Sequence, residues 1–198
     1  SGANVGSNGT FNEFEGMGGN DTITGNGNTR LAFYNATAGV TVDIAAGTSQ
    51  STGAGDAAGV GLDTFTGVNS VLGSQFADTL IGSNNAAFTT EQFEGRAGND
   101  TINGGGGFDQ ALYGNDPAVT AGITVNMAAG TVTGGGGTAI GTDTLLAVES
   151  VRGTNFNDTY DATNFGISGA NVGSLGTLNE FEGLGGNDTI TGNGDTRA

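Results

Sequence analysis

Carboxylates are the side chains of this chain that recur often enough to do chemistry. There are 20 acidic residues against 4 arginines, no lysine, histidine, cysteine or tryptophan, and a formal net charge of -16. A compact chain so charged repels itself. About eight divalent cations, held by oxygen ligands, would cancel the charge. The missing histidine and cysteine exclude thiolate or imidazole zinc sites, haem ligation, disulfides and Ser-His or Cys nucleophiles. Paired carboxylates also run glycoside hydrolysis, but here they recur periodically rather than once, so the chain is not read as an enzyme. Matches to G-x-G-x-x-G follow from 41 glycines, and without Gly-Lys-Ser/Thr after them they make no phosphate loop. Four arginines build no basic face, so nucleic acid is not an expected partner. An anionic membrane surface would repel the chain, and no run of ~18 apolar residues is present to insert into a bilayer.

The elements that must position these carboxylates follow from self-similarity. Residues 1–30 and 168–197 agree at 26 of 30 positions, an offset of 167 residues. Inside that unit, FEGMGGNDTI from Phe14 recurs as FEGRAGNDTI from Phe93, and GVTVDIAAGT from Gly39 recurs as GITVNMAAGT from Gly122. GLDTFTGVNSVLGSQFADTL from Gly61 recurs as GTDTLLAVESVRGTNFNDTY from Gly141. A finer beat places Phe93, Ile102 and Ala111 nine residues apart, as it does Phe14, Ile23 and Ala32, then Val71 and Leu80, and Val151 and Tyr160. One apolar side chain per beat, with a Gly/Asn/Asp turn between, reads as half a turn of a stacked solenoid whose turns share one core. No long 3.6-period stripe is present, so helices are not expected. The fold expected is all-β, a parallel β-roll or β-helix. It would be one continuous solenoid made of a first half-repeat (1–80), a second (81–167) and the start of the next unit (168–198). Val40–Ile44 and Ile123–Met127 alternate as strands, and segments 48–61 and 130–141, with the Gly134–Gly137 run, read as surface loops. Phe14, Phe93, Phe181, Tyr34 and Tyr113 are expected in the core. Glu13, Glu15, Glu94, Glu180 and Glu182 are expected on a solvated face.

At GRAGNDTIN followed by GGGGFDQALY the chain resembles the RTX, or haemolysin-type, calcium-binding repeat, G-G-x-G-x-D-x-U-x. Gly95, Ala97, Gly98, Asn99, Asp100 and Ile102 fall on that register. Gly104, Gly105, Gly106, Gly107, Phe108, Asp109 and Ala111 form the next copy. Gly16, Gly18, Gly19, Asn20, Asp21 and Ile23 form a third, repeated by Gly183 to Ile190. Arg96 and Met17 depart from the second Gly. The resemblance implies several Ca²⁺ ions per chain, each between two stacked turns, with glycines bending the backbone so that carbonyls face the ion and Asp supplying charge. Asp78 and Asp100 then share one edge, and Asp158 and Asp188 repeat the pair 80 to 88 residues later. Glu91 and Asp109, 18 apart, share the other edge. Asp63 and Asp143, in the matching DTF and DTL strands, are lesser candidates. Asn12 with Arg30, and Asn179 with Arg197, are the counterparts of Glu91 and Asp109, so an arginine is expected where the ligand Asp should be.

The expected role is a calcium-rigidified structural segment of a secreted bacterial fibre, adhesin stalk or matrix protein. With no initiator Met or signal peptide, and a pattern that stops mid-unit, the chain reads as part of something longer. Adjacent copies of itself are the expected partners, in one chain or a filament, and lateral self-association is compatible with that. The resemblance implies a Gram-negative source, type I secretion and an extracellular or cell-surface location. Two alternatives compete. One is the repeat tail of a secreted enzyme. The other is an adhesive module for ice or carbohydrate, built on Thr22, Thr24, Thr101, Thr189 and Thr191. That threonine ladder is expected to be broken by Asn103 and by the loops.

Overall fold

Val40, Val42, Ile123 and Val125 sit at alternate positions with polar residues between them, the pattern that buries one face of a strand and wets the other. The computed structural model describes residues 9–135 and 140–198, and among these every regular element is a strand. Asn8, Gly136 and Gly137 lie outside the described residues. Nineteen short strands are described, beginning with β1 (Asn12–Phe14), β2 (Thr22–Thr24), β3 (Thr29–Ala32), β4 (Val40–Asp43), β5 (Thr48–Ser51) and β6 (Leu62–Thr66). Next come β7 (Ser70–Leu72), β8 (Thr79–Ile81), β9 (Gln92–Glu94), β10 (Thr101–Asn103), β11 (Gln110–Leu112) and β12 (Ile123–Asn126). The last are β13 (Thr131–Gly134), β14 (Thr142–Leu146), β15 (Ser150–Arg152), β16 (Thr159–Asp161), β17 (Asn179–Glu182), β18 (Thr189–Thr191) and β19 (Thr196–Arg197).

These strands form two open sheets. One has eight strands in the order β1-β3-β7-β9-β11-β15-β17-β19, and the other has eleven in the order β18-β16-β12-β13-β14-β10-β8-β4-β5-β6-β2. Consecutive strands change sheets, except in the meanders β4-β5-β6 and β12-β13-β14, which stay in the larger sheet. Only the pairings inside those meanders are antiparallel. The nine-residue beat is the distance from one sheet to the other. Phe93 on β9 is the register partner of Ala111 on β11, while Ile102 lies on β10 in the opposite sheet, and all three are buried in one core cluster. Tyr160 and Phe181, from opposite sheets, stack with ring centroids 4.7 Å apart. Burying such a side chain contributes roughly 1.5–3 kcal/mol, and no single short strand could retain that burial alone.

The structure corrects three expectations. Residues 48–51 and 131–134 are strands, not loops. The signal was missed because the inward positions of β5 are Ser49 and Ser51, whose hydroxyls donate to Asp63 Oδ2 and Asp56 Oδ1, so no apolar alternation marks the strand. Phe14 pairs with Leu31 rather than with the rung of Ala32. Phe14 and Tyr34 are also about 40% exposed, against near-complete burial of Phe93, Phe181 and Tyr113. Phe14 lies on the outermost described strand of its sheet, where no neighbour covers it.

Gly61 fixes the entry into β6, the last strand of the first meander. Its φ is +73°, and a Cβ there would lie 1.7 Å from the Gly19 carbonyl oxygen. Neither constraint can relax, because the obstructing atom is backbone. Gly61→Ala is therefore expected to cost about 3 kcal/mol or more, read as a lowered thermal midpoint. Gly53→Ala, where nothing lies within 4 Å and φ is ordinary, is the control and should change little.

Candidate metal centres

At one edge of the eleven-stranded sheet an aspartate stands immediately before each of β2, β8, β10, β16 and β18, and Asp63 and Asp143 take the same rung inside β6 and β14. The register brings Asp78, Asp100 and Asp143 onto three adjoining strands, Asp21 beside Asp63, and Asp158 beside Asp188. The carboxylates are linked to the backbone in sequence. The Asp21 N–H donates to Asp63 Oδ1 (2.9 Å), Asp78 N–H to Asp100 Oδ1 (2.8 Å), Asp100 N–H to Asp143 Oδ1 (2.9 Å) and Asp158 N–H to Asp188 Oδ1 (2.9 Å). Where a meander interrupts the row, Val40 and Ile123 N–H take over the donation to Asp78 and Asp158.

One oxygen of Asp63, Asp78, Asp100, Asp143, Asp158 and Asp188 is thereby used, and the fate of the second divides the row. Asp78 Oδ2 accepts from Ser74 N–H and Asp158 Oδ2 from Thr154 N–H, four residues upstream in each case. Asp21 Oδ2 and Asp100 Oδ2 are buried with no hydrogen-bond partner, whereas the Asp143 carboxyl has the buried Tyr113 hydroxyl beside it, which favours its charged form. Burial pushes the carboxyl of Asp78 up to about 6, of Asp100 to about 8 and of Asp143 to about 7. Burial raises Asp63 as well.

A second row runs along the edge of the eight-stranded sheet through Glu91, Asp109 and Glu149, all buried. Asp109 N–H donates to Glu149 Oε2 (2.8 Å), and Ser83 caps Glu91 through both its N–H and its hydroxyl. Both oxygens of Asp109 are buried and unpartnered. Burial, then the adjacent Glu149 and Glu91, pushes its carboxyl up to about 8.

The glycines have a specific task. A Cβ on Gly16, Gly95 or Gly183 would lie 2.0 to 2.9 Å from the Oδ2 of the aspartate five residues later, Asp21, Asp100 or Asp188. Gly73 before Asp78 and Gly153 before Asp158 repeat that close approach. The carboxylate folds back over a bare Cα. Gly104 does this for Asp109, whereas Gly105 and Gly107 are turn residues with φ of +85° and +134° packed on the Ser83 and Thr89 carbonyls. Gly19 and Gly98 are likewise at positive φ. The position of Met17 and Arg96 keeps φ of 60° and 72° although it is not glycine. The side-chain oxygens of Asn20 and Asn99 accept the N–H of Leu62 and Thr142, so any ligation from these two would come from backbone carbonyls. Among the described residues no three carboxylates gather into a ready cage. An ion here would lie between two rungs and complete its shell with carbonyl oxygens, as a hard cation wanting 6–8 oxygens can.

Two expectations about this edge change. Arg30 does not occupy the rung of Asp109. Thr29 does, because Arg30 pairs in register with Ser70, the rung that continues to Gln92 and Gln110. The Arg30 guanidinium instead bonds Glu13 on the outer face and lies over the Phe11 ring, and Arg197 is the rung partner of Glu180. The Thr29 hydroxyl donates to Asn12 and its N–H to Asn69, so this stretch of the edge is neutral. Glu94, expected on a solvated face, is buried, accepts from Asn115 and has its carboxyl raised by burial. Sequence reasoning missed Glu149. Its half-repeat counterpart is Asn69, and that Asn-to-Glu change on the row of Glu91 and Asp109 was the available signal. A search of protein-family models and a search of curated proteins find no match to the chain, so the residues themselves carry the functional reading.

Proposed function

We propose that the chain is a calcium-bound parallel β-roll solenoid, a structural repeat segment of a secreted bacterial fibre, adhesin stalk or extracellular matrix protein. One observation carries this reading. Asparagine suffices as a rung acceptor at Asn20, Asn99 and Asn157, yet the next residue is aspartate each time, and the added oxygen of Asp21 and Asp100 is buried without a partner. A charge kept at that cost is accounted for by a cation. Asp21, Asp63, Asp78, Asp100, Asp143, Asp158 and Asp188 on one edge, and Glu91, Asp109 and Glu149 on the other, are the proposed ligand rows.

Adjacent copies of the same unit are the proposed partners. β17 and β18 repeat the sequence of β1 and β2, and they are covered by β15 and β16. The outer edges of β1 and β2 carry no further strand among the described residues. A β15–β16 surface from a preceding copy matches those edges rung for rung, and bare sheet edges recruit such strands. Chain self-repulsion before calcium, and folding on meeting it outside the cell, suit export.

The test is a calcium titration of the metal-free chain followed by far-ultraviolet circular dichroism and equilibrium dialysis. The expected result is a gain of β signal that saturates with several ions bound per chain. A folded spectrum in chelator that calcium leaves unchanged, with no ion retained on dialysis, would sink the proposal.

A further inference from the structure

The outward face of the eleven-stranded sheet is a threonine lattice. Thr189, Thr159, Thr124, Thr133 and Thr142 are consecutive register partners across five strands. Thr131, Thr144, Thr101, Thr79 and Thr41 form a second such row across β13, β14, β10, β8 and β4. Thr48, Thr64 and Thr22 form a third across β5, β6 and β2. Every strand of this sheet contributes, and all these threonines are exposed or half-exposed. Of the interruptions that the sequence suggested, one is present and one is not. Asn103 breaks the second outward position of the Thr-x-Thr pattern, between Ile81 and Leu146, whereas the segments read as loops supply Thr48, Thr131 and Thr133. The first row ends at β14 and the second, one rung over, begins at β13, where Thr131 meets Asn126; the second and third are separated between β4 and β5, where Thr41 meets Gln50 and Asp43 meets Thr48.

Threonine favours strands in general, but the other sheet, under the same constraint, is built differently. Its outer rung reads Glu13, Arg30, Ser70, Gln92, Gln110 and Ser150. On the threonine face the outward carboxylates of the strands are Asp43 and Asp161, each accepting a turn N–H from Ala46 or Thr163. The four arginines lie on the eight-stranded sheet or, for Arg96, in a turn, and no strand position on this face is aromatic. Among its strand positions the face carries only these two carboxylates of a chain of net charge -16. It lacks cations for phosphate and rings for stacking on sugars. What it offers is a hydroxyl and a methyl repeated every ~4.8 Å across strands within each row, and every ~6.8 Å along β2, β6, β13, β14 and β18, which carry two outward threonines each, on stiff β-branched side chains. Both periods are close to oxygen repeats of hexagonal ice.

We propose that this face binds ice. The hydroxyls join the lattice of ordered water, the methyls fill the spaces between, and the sheet holds both in place before contact, which lowers the cost of binding. The inference stands on strand register and does not depend on calcium.

The test is ice-affinity partitioning and thermal hysteresis of the 198-residue chain in calcium, with circular dichroism on the same samples. The expected result is several-fold enrichment in the ice fraction. Thr79→Tyr with Thr101→Tyr, at the centre of the middle row, should abolish it, while Gln92→Tyr on the opposite sheet should leave it unchanged. A β-folded protein excluded from ice overturns the proposal, as does enrichment that survives the double substitution. Binding to crystalline chitin or cellulose without ice uptake also overturns it, by assigning the face to polysaccharide. Since folding is read separately, failure of the calcium reading and failure of this one give different results.

Discussion

Freed of divalent cations, the chain should lose stability as pH rises from about 4 to about 8, and calcium should reverse that trend. The expected window comes from Asp78, pushed up to about 6, Asp143 to about 7, and Asp100 and Asp109 to about 8, all chiefly by burial. An unfolded aspartate titrates near 3.9. The folded state therefore holds protons more tightly than the unfolded state, and stability falls wherever the folded state binds more of them. The contribution is fully present below pH ~4 and is lost as pH passes through the folded values. Each pKa unit is worth about 1.4 kcal/mol. Ionising four such groups without a counter-charge would cost an amount comparable to the whole ~5–15 kcal/mol stability of an ordinary domain. Calcium needs the same groups ionised and expels their protons on binding, so its stabilisation should grow across the same interval. Urea midpoints measured from pH 4 to 9, after metal removal and again in millimolar calcium, give the two slopes. A metal-free midpoint that does not fall with pH would show that these carboxylates are not burdened as the geometry requires.

The repeat made much of this arrangement legible beforehand. The nine-residue beat carried the alternation between sheets because each beat keeps one apolar residue, and Phe93, Ile102 and Ala111 all fall in the core. The pairing of Asp78 with Asp100, and of Asp158 with Asp188, was legible for the same reason, since a fixed strand-plus-turn length returns each aspartate to the same edge. What the spacing could not give was register where the beat slips. One residue fewer between Phe14 and Leu31 puts Thr29, not Arg30, on the acidic rung. Nor could hydropathy reveal β5, whose inward serines are satisfied by carboxylates. That omission hid the continuity of the threonine rows. It also hid the position of Asp63, which meets Ser49 on β5 and Asp21 on β2 in the same row.

Asp100→Asn should separate a metal site from a plain hydrogen-bonded ladder, because the two make opposite predictions for it. Asparagine keeps the Oδ1 that accepts Asp78 N–H (2.8 Å) and replaces only the buried, unpartnered Oδ2. Without metal the substitution removes a charge held beside Asp143 and Asp78, whose repulsion adds to burial in raising the Asp100 carboxyl. At pH 8 in chelator the variant should therefore be more stable than the parent, by on the order of 2–5 kcal/mol. In calcium the order should invert. The variant loses a ligand, binds at least one ion fewer by dialysis and melts below the parent. A ladder without metal predicts stabilisation under both conditions. Asp43→Asn is the control. Asp43 caps the β4–β5 turn through Ala46 N–H, and its half-repeat counterpart Asn126 already does the same through Ala129 N–H. At that capping position the chain uses Asp and Asn interchangeably, whereas the carboxylate row of the larger sheet holds Asp on β2, β6, β8, β10, β14, β16 and β18 and never Asn, with Val40, Ser49, Ile123 and Val132 facing it on the other four strands. A rung needing only an acceptor would be free to exchange Asp for Asn in the same way, so the charge kept on those seven strands is what the crossover experiment interrogates.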